Sequence, residues 1–459
     1  MSVYKPCDIR GPVEELDADL YRAWGDLLAG RLEAGALFVV GGDVRLSTPG
    51  FQESLVQGLV EGGARVVDLG CVPTPWVYFA RRHLGARGCA IVTASHSPPQ
   101  VNGLKWMVGP LPPTQGEVQD LRCHTEAHRR VARGGGGCRA EDVGPAYRAW
   151  LGQRWGDARS RARVVLDPGG GAWAGRAAAC LAAAFPGVGV TAIHDEPDGT
   201  FSRRHPDTAR PQHLRALSEA VCREAADLGV AFDGDGDRLA LVDGEGVVLS
   251  AEQVACILIS SFGEEWAGRV GVHDVKCSDQ VPAAIRQRGG RPLAQRSGHA
   301  FIRTSMMQCQ GLFGTEISGH FFHGELDGGD DALFTACRFL WHMARQDTSA
   351  AELRRGCPAI HATPDLRVNV PPEDQEEAVE GVRRAFGHLP QSGLDGVRVE
   401  FPGGWALVRS SVTDAQLTFR FEGRTPDGLE EIVQSFAARL GSLGQAVQAQ
   451  HEGEKAGSR

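Results

Sequence analysis

The chain has 459 residues, more than one hydrophobic core usually organises, and this length predicts about three domains, with two to four compatible. Hydrophobic residues make up 42% of the chain, yet no apolar run reaches the ~18 residues of a membrane-spanning helix, and the N-terminus lacks the apolar segment of a signal peptide. The net charge of -9, from 48 basic and 57 acidic residues, argues against a broad nucleic-acid-binding surface, so we expect a cytoplasmic protein with no nucleic-acid and no membrane partner.

The first part of the chain alternates short apolar runs with helix-like stretches, which is typical of an α/β sheet. The runs predicted to be buried strands are Leu37–Gly41, Arg65–Leu69 and Cys89–Thr93. The stretches predicted to be helices are Leu16–Glu33, Thr48–Gly62 and Glu141–Trp155.

Two further units of the same texture follow. The second has predicted strands at Arg163–Asp167, Val188–His194 and Gly229–Phe232, then a hairpin-like segment at Leu239–Leu249. The third opens with a predicted helix at Ala251–Phe262 and a strand at Arg269–Asp274, and continues through Arg291–Arg303 to Leu312–His320. In each unit the most polar loop follows a strand, where open α/β sheets bind their ligands.

The C-terminal part differs in texture. The segment Gly356–Pro364 is typical of a linker, and the strands predicted after it are Leu366–Val370, Gly396–Phe401, Trp405–Arg409 and Leu417–Glu422. A helix is predicted at Leu429–Leu443. This pattern predicts a small α+β domain that caps the rest.

Residues 231–238, AFDGDGDR, place three aspartates, Asp233, Asp235 and Asp237, at alternate positions after an apolar strand. The intervening glycines let three carboxylates converge on one cation, and oxygen ligands suit Mg²⁺ or Ca²⁺. An EF-hand loop needs Gly at its sixth position and Glu at its twelfth, where this chain has Arg238 and Gly244. A solvated acidic turn is the alternative; in a metal site, a phosphate would complete the coordination and pair with Arg238.

Residues 91–105, IVTASHSPPQVNGLK, place Ser95 in a loop after an apolar strand, with His96 beside it and Lys105 further on. The Gly-x-Ser-x-Gly pattern of a nucleophile elbow is absent. A phosphorylated serine would supply about -1.5 to -2 charge and metal-binding oxygens, and Lys105 would neutralise charge or shuttle a proton. An ordinary turn serine is the alternative.

Residues 314–320, GTEISGH, place Glu316, Ser318 and His320 at alternate positions. In an extended segment the three side chains would share one face, which suits recognition of sugar hydroxyls. A polar sheet face is the alternative.

Residues 405–413, WALVRSSVT, end a predicted strand with an arginine and several hydroxyls. Arg409, Ser411 and Thr413, together with backbone N–H groups, form a natural phosphate cradle.

These motifs, in this order, resemble those of the α-D-phosphohexomutases, and within them the bacterial phosphomannomutase/phosphoglucomutase group. Further segments carry the likeness: residues 4–11 (YKPCDIRG), 40–49 (VGGDVRLSTP), 70–75 (GCVPTP) and 274–277 (DVKC). The likeness spans nearly the whole chain.

The resemblance implies a four-domain α/β architecture around a central cleft: three related α/β mixed-sheet domains plus a smaller C-terminal α+β domain. The implied domains are residues 1–148 with the phosphoserine loop, 149–250 with the metal loop, 251–362 with the sugar-recognition loop and 363–459 with the phosphate-binding loop.

The resemblance also implies the site residues. Ser95, Asp233, Asp235 and Asp237 would hold one Mg²⁺, with Ser95 phosphorylated. The implied catalytic side chains are Ser95, Arg10, Lys105, Arg238 and His320. The implied substrate-binding side chains are Lys276, Arg296, His299, Glu316, Ser318, Arg409, Ser411 and Thr413.

The implied activity is that of an isomerase that interconverts hexose 6-phosphate and hexose 1-phosphate, of mannose and/or glucose, through a phosphoserine and a hexose 1,6-bisphosphate. Glucose 1,6-bisphosphate or mannose 1,6-bisphosphate would be the activator, and the protein would be a monomer or small homo-oligomer. One alternative is a phosphoglucosamine mutase, although that group usually has Gln before the serine of this loop, where this chain has Ile317.

The other alternative is a non-catalytic sugar-phosphate-binding protein, which departures from the family pattern in the phosphate loop motivate: Val412 for Asn, and Asp414 and Ala415 for a stretch with Pro. The other departures are Cys7 for a frequent Tyr, Ser97 for Asn and Val101 for an aromatic residue. None of them changes Ser95 or the three aspartates.

Overall fold

The computed structural model describes residues 2–156, 160–410 and 416–457, in which four β-sheets follow one another along the chain. The first three belong to α/β domains with mixed sheets, and the fourth forms a C-terminal sheet domain, as the sequence predicts. Within these ranges, no helix combines the length and the apolar character needed to cross a membrane.

The first sheet is mixed. Its strands are β1 (Ile9–Pro12), β2 (Leu37–Gly42), β3 (Arg65–Cys71), β4 (Gly88–Val92), β5 (Val101–Val108) and β6 (Gly137–Ala140), in the order β1-β5-β4-β2-β3-β6. Its helices are α1 (Ala18–Gly30), α2 (Thr48–Glu61), α3 (Thr74–His83) and α4 (Gln115–Glu126), and α5 (Gly144–Trp155) leads to the next sheet. The boundary expected after residue 148 falls inside α5, so the exact division of the domains stays a prediction.

Lys105 lies on a strand of this sheet and not in a loop. Strand β5 runs antiparallel to β4, and Lys105 is the register partner of Ile91. The ladder therefore carries the lysine back toward the loop that follows β4, where Ser95 lies.

The second sheet has the order β10-β9-β7-β8. Its strands are β7 (Arg163–Asp167), β8 (Gly189–Ala192), β9 (Leu228–Phe232) and β10 (Leu239–Asp243), and its helices are α6 (Ala177–Ala184) and α7 (Arg215–Arg223). Strand β10 pairs antiparallel with β9, with Leu239 opposite Phe232. The aspartate-rich residues 233–238 are therefore the turn of a tight hairpin.

The third sheet has the order β12-β11-β13-β14-β15. Its strands are β11 (Val270–Asp274), β12 (Arg291–Gln295), β13 (Phe313–Thr315), β14 (Phe321–His323) and β15 (Gly329–Asp330). Its helices are α8 (Ala251–Ser261), α9 (Gln280–Gln287), α10 (His299–Gln308), α11 (Ala332–Gln346) and α12 (Ala350–Gly356). Helix α8 begins after Ser250 because that hydroxyl accepts the Gln253 N–H at 3.2 Å, which caps the helix.

The extended geometry predicted for residues 316–320 is wrong. The Gly319 N–H donates to the Glu316 carbonyl at 3.1 Å, and the Glu316 N–H donates to the His320 carbonyl at 3.0 Å, so a tight turn joins β13 to β14. Gly319 has a φ of +92°, which favours glycine and lets the chain reverse here.

The fourth sheet is antiparallel, with the order β16-β21-β20-β19-β18 and with β17 also paired to β21. Its strands are β16 (His361–Ala362), β17 (Leu366–Asn369), β18 (Gln391–Ser392), β19 (Val397–Phe401), β20 (Gly404–Ser410) and β21 (Gln416–Gly423). Its helices are α13 (Pro372–Ala385), α14 (Pro426–Ala438) and α15 (Gly441–Gly457). Because β16 lies inside Gly356–Pro364, the predicted linker ends as a strand of this sheet.

The first three domains share one apolar core, whereas the fourth has its own. Trp76 packs edge-on against Trp173 at 6.0 Å between ring centroids, and Trp150 stacks on Phe334 at 5.4 Å, which joins segments of all three domains. The fourth domain meets the third through a small apolar cluster of Val275, Trp405 and Leu407 and through polar contacts, among them a buried ion pair between Arg420 and Glu252 at 2.5 Å. An apolar contact this small holds two domains together less firmly than the core that the first three share.

Candidate active site

Loops from different sheets meet at one buried site. Ser95 follows β4, the aspartates follow β9, Lys276 follows β11, and His320 precedes β14. The Ser95 hydroxyl donates to Asp233 Oδ2 at 2.8 Å, and both residues are buried. This contact joins two loops that are far apart in sequence, so the two most polar motifs of the chain form one site.

The backbone at Ser95 adopts a left-handed conformation, with a φ of +52°. A non-glycine residue there costs on the order of 1–3 kcal/mol and needs support from its surroundings. The Thr93 hydroxyl supplies part of it, because Thr93 Oγ1 accepts the Ser95 N–H at 2.8 Å and donates to Asp43 Oδ2 at 2.7 Å. The serine is thus held in an orientation that exposes its hydroxyl to Asp233.

A buried ion pair completes this support. Asp43 and Arg45, both with fully buried side chains, pair at 2.9 Å. The Arg45 guanidinium then donates to three carbonyls of the serine loop: those of Ser95 at 2.8 Å, Ser97 at 2.6 Å and Pro98 at 2.6 Å. A planar guanidinium with several donors suits this role better than an ammonium group.

The three aspartates converge as the sequence predicts, with one oxygen of each within 4.8 Å of the others. Lys105 Nζ donates to Asp235 Oδ2 at 2.8 Å and to Asp237 Oδ2 at 2.6 Å. Burial, reinforced by Asp235 and Asp237, raises the pKa of Asp233 to about 7. The cluster therefore carries more negative charge than its surroundings favour.

This donor set fits a divalent cation. Asp235 Oδ1 is buried and has no hydrogen-bond partner in the described part of the chain. Carboxylate oxygens are the ligands that Mg²⁺ prefers, and such an ion would offset the burial and the mutual repulsion that together raise the pKa of Asp233. Asp233, Asp235 and Asp237 are thus the side chains that could hold a metal.

His320 lies between carboxylates. Its Nδ1 is 3.0 Å from Glu316 Oε2 and 3.1 Å from Ser318 Oγ, and its Nε2 is 3.2 Å from Asp237 Oδ1. Burial and Arg238 lower the pKa of His320, but Asp237 and Glu316 outweigh them and raise it to about 9. The ring therefore favours its cationic form beside the aspartates, which suits the stabilisation of an anion.

Arg238 and Arg10 lie at the same site. The Arg238 side-chain Nε lies 3.8 Å from Asp233 Oδ2, and its backbone N–H donates to Asp233 Oδ1 at 3.2 Å. Arg10 Nη2 donates to Asp8 Oδ2 at 2.8 Å. Burial would raise the pKa of Asp8, but Arg10 and Lys105 keep it below its usual range, so these cations lie close together.

The remaining predicted substrate residues surround this centre. The His299 ring lies 6.0 Å from that of His320, and burial lowers the pKa of His299 to about 3, so its ring is neutral. The Arg296 guanidinium lies 4.4 Å from the centre of the Phe301 ring. Glu316 reaches toward the same loop, because its Oε1 accepts the Gly298 N–H at 3.0 Å.

Two predicted cations lie where the third and fourth domains meet. Lys276 Nζ donates to Asp365 Oδ2 at 3.0 Å, and Arg409 Nε donates to Asp395 Oδ2 at 2.8 Å. Ser411 and Thr413, together with the departures at Val412, Asp414 and Ala415, lie outside the described residues.

Several site residues were not assigned a role from the sequence. These are Asp8, Asp43, Arg45, Thr74, Thr93, Asp330, Asp365 and Asp395. Five of them, Asp8, Asp43, Arg45, Thr74 and Thr93, belong to the motifs at residues 4–11, 40–49, 70–75 and 91–105, so the resemblance to the family was a signal for them. Asp330, Asp365 and Asp395 lie outside these motifs, and their spacing gives no signal.

Three successive segments match known family descriptions. They are phosphoglucomutase/phosphomannomutase, alpha/beta/alpha domain I at residues 3–120, domain II at residues 154–246 and domain III at residues 250–360. The chain is 34% identical over 447 residues to the phosphomannomutase/phosphoglucomutase of Pseudomonas aeruginosa, which covers 96% of this chain and 95% of that protein. It is 31% identical to the phosphoglucomutase of Neisseria gonorrhoeae, with 96% and 97% of the two chains covered.

A solved structure is similar over the whole length. The phosphoglucomutase/phosphomannomutase family protein of Burkholderia thailandensis superposes with a TM-score of 0.87 at 30% sequence identity. The superposition covers 98% of this chain and 97% of that chain. The likeness therefore includes the fourth domain.

The buried pair at the serine loop gives a test. We expect Arg45→Ala to lower the free energy of unfolding by about 3–5 kcal/mol, because it leaves Asp43 as an uncompensated buried charge. The loss is measured by urea denaturation followed by circular dichroism.

Arg22→Ala is the matched control, since Arg22 forms a half-exposed pair with Glu61 in the same domain, with side chains 39% and 26% exposed. Exposed pairs of this kind contribute about 1 kcal/mol or less. Equal losses in the two variants would contradict the structural role given to Arg45.

Proposed function

The chain belongs to the phosphoglucomutase/phosphomannomutase family of α-D-phosphohexomutases, and we infer that it is an isomerase that interconverts hexose phosphates. We propose that the sugar is mannose and/or glucose and that the phosphoryl group passes through a phosphoserine at Ser95 and a hexose 1,6-bisphosphate. The observation that carries this proposal is the hydrogen bond from the Ser95 hydroxyl to the buried cluster of three aspartates.

The proposed step moves one phosphoryl group. The bond from phosphorus to Ser95 Oγ breaks as a sugar hydroxyl oxygen bonds to phosphorus, and the proton lost by that hydroxyl balances the one that Ser95 Oγ gains. The resulting bisphosphate turns over in the cleft and returns its other phosphoryl group to Ser95. Such a transfer needs mainly positioning and neutralisation of charge.

The proposed catalytic residues are Ser95, Arg10, Lys105, Arg238 and His320. Mg²⁺, bound by Asp233, Asp235, Asp237 and the phosphate on Ser95, would neutralise charge on the transferred group. Burial lowers the pKa of Lys105, but Asp235 and Asp237 outweigh it and raise that pKa well above its usual value. Lys105 therefore stays cationic and stabilises negative charge beside Ser95.

The proposed substrate-binding residues hold the other end of the sugar. Glu316 and Ser318 would bind hydroxyls, while Lys276, Arg296 and His299 would contact the substrate. Arg409, with Ser411 and Thr413, would bind the phosphate that does not react. Three further points stay predictions. They are the activator, which would be glucose 1,6-bisphosphate or mannose 1,6-bisphosphate, the state of a monomer or small homo-oligomer, and the four domain ranges given above.

The phosphoserine is tested by Ser95→Ala. We expect this variant to lose turnover of glucose 1-phosphate and mannose 1-phosphate, because alanine cannot carry a phosphoryl group, while its thermal unfolding stays that of the parent. The measurement is a coupled assay with Mg²⁺ and a trace of glucose 1,6-bisphosphate.

Ser97→Ala, in the same loop, is the matched control, since Ser97 contacts Arg45 through its backbone carbonyl, which the substitution keeps. Parent-like activity in Ser95→Ala would refute the phosphoserine. If the parent protein is folded but inactive on both sugars, the next substrate to test in the same assay is glucosamine 1-phosphate. If that also fails, the proposal shifts to a sugar-phosphate-binding protein.

The metal cluster is tested by Asp235→Asn. We expect the Mg²⁺ concentration for half-maximal activity to rise about tenfold or more, because an amide is a weaker ligand than a carboxylate. Asp19→Asn, on the exposed face of helix α1, is the control, because it makes the same chemical change away from the aspartate cluster. An unchanged Mg²⁺ titration in Asp235→Asn would count against the metal site.

The phosphate cradle is tested by Arg409→Ala. We expect the KM for glucose 1-phosphate to rise about tenfold or more, since a hydrogen bond to a charged group contributes roughly 1.5–3 kcal/mol. Arg424→Ala, an exposed arginine of the same domain, is the control. A parent-like KM would remove Arg409 from the cradle.

A further inference from the structure

Arg409 already has an anionic partner within its own domain. Asp395 precedes β19, and its Oδ2 accepts from Arg409 Nε at 2.8 Å, with both side chains only 9% exposed. The carboxylate therefore occupies the position from which an anion would accept a hydrogen bond from Arg409 Nε.

The same oxygen also has a donor from the third domain. The Ser297 backbone N–H donates to Asp395 Oδ2 at 3.1 Å, just before helix α10, which begins at His299. A guanidinium together with a backbone N–H near the start of a helix is a typical environment for phosphate. Here the oxygen of Asp395 takes that position and joins the third domain to the fourth.

The backbone beside Asp395 permits this close approach. Gly396 has a φ of +77°, and a Cβ at this position would lie 2.0 Å from the Val408 carbonyl oxygen and 2.9 Å from Arg409 Cβ. Only glycine brings the loop this close to β20, so the position of Asp395 over Arg409 is a built feature of the sheet.

The two cations at this boundary already have carboxylate partners: Lys276 Nζ lies 3.0 Å from Asp365 Oδ2, and Arg409 Nε lies 2.8 Å from Asp395 Oδ2. Burial lowers the pKa of Lys276, but Asp365 and Asp274 outweigh it and raise that pKa, while Arg409 is close enough to oppose them. A phosphate dianion added here would face two carboxylates. Like charges at such distances repel, so a phosphate that binds Arg409 competes with Asp395 for the guanidinium.

We propose that Asp395 is an internal anion that holds Arg409 and the Ser297 loop together in the free protein and is exchanged for the phosphate of the substrate. The proposal rests on the function proposed above, in which Arg409 binds the phosphate that does not react. Asp395 is thus a positioning residue that weakens phosphate binding and favours release of the sugar between the two transfers.

The test uses the full chain with Ser95→Ala, so that no turnover occurs, and glucose 1-phosphate as the probe in isothermal titration calorimetry. Adding Asp395→Asn, which keeps the shape but removes the charge, is expected to tighten binding about fivefold. In the catalytically active chain, Asp395→Asn is expected to lower KM without raising kcat.

Asp279→Asn is the matched control, because Asp279 pairs with Arg398 at 2.7 Å across the same domain boundary but does not contact Arg409. Its affinity is expected to stay within about twofold of the parent, a change of less than 0.5 kcal/mol. Should Asp395→Asn fail to fold, Asp395→Ser removes the same charge with a smaller side chain.

Each outcome decides the proposal. Unchanged or weaker binding in Asp395→Asn overturns it, because the carboxylate would then only orient Arg409. Arg409→Ala, added to Ser95→Ala, separates the role proposed for Asp395 from the phosphate-binding role proposed for Arg409. If it weakens binding while Asp395→Asn does not tighten it, only the role of Asp395 fails; if it changes nothing, the proposed cradle fails as well.

Discussion

The burial of three neighbouring carboxylates is the constraint on which the rest of the site depends. Asp233, Asp235 and Asp237 lie within one turn, shielded from water, and their mutual repulsion has to be offset by cations. Lys105 supplies one from the first domain and His320 another from the third. The convergence of three domains on one point is therefore an electrostatic requirement as much as a packing result.

The hydroxyl of Ser95 is held against this cluster by a second buried charge pair. Within the part of the chain that the structure describes, Asp43 and Arg45 form no hydrogen bond to the three aspartates or to Lys105, yet Arg45 binds three carbonyls of the serine loop. A strained backbone at Ser95 persists because its surroundings determine it from several sides. Stability and chemistry are thus coupled through the same few residues.

The fourth domain is attached in a different way from the first three. Those three share one apolar core, whereas the fourth meets the third through a small apolar cluster and through ion pairs such as Arg420 with Glu252 and Lys276 with Asp365. Separating the shared core would expose far more apolar surface than separating the three-residue cluster at the fourth domain. This division suits the reaction proposed above, in which the sugar would turn over: the shared centre would perform the transfer, and the separately attached domain would hold the remote phosphate.

The sequence by itself determined the fold class, the order of the sheets and the motifs that carry the chemistry, because hydrophobic periodicity and the Asp-Gly-Asp-Gly-Asp spacing are local signals. It failed at residues 316–320, where hydrogen bonds across the turn and the positive φ of Gly319 override the alternating pattern that predicted an extended segment. Only the tertiary structure decided that Lys105 lies on a strand, that Arg45 supports Ser95, and that Asp395 pairs with Arg409. These contacts join residues that are apart along the chain, and the last one also depends on the backbone at Gly396. Their distances follow from the packing of whole domains, which no local pattern encodes.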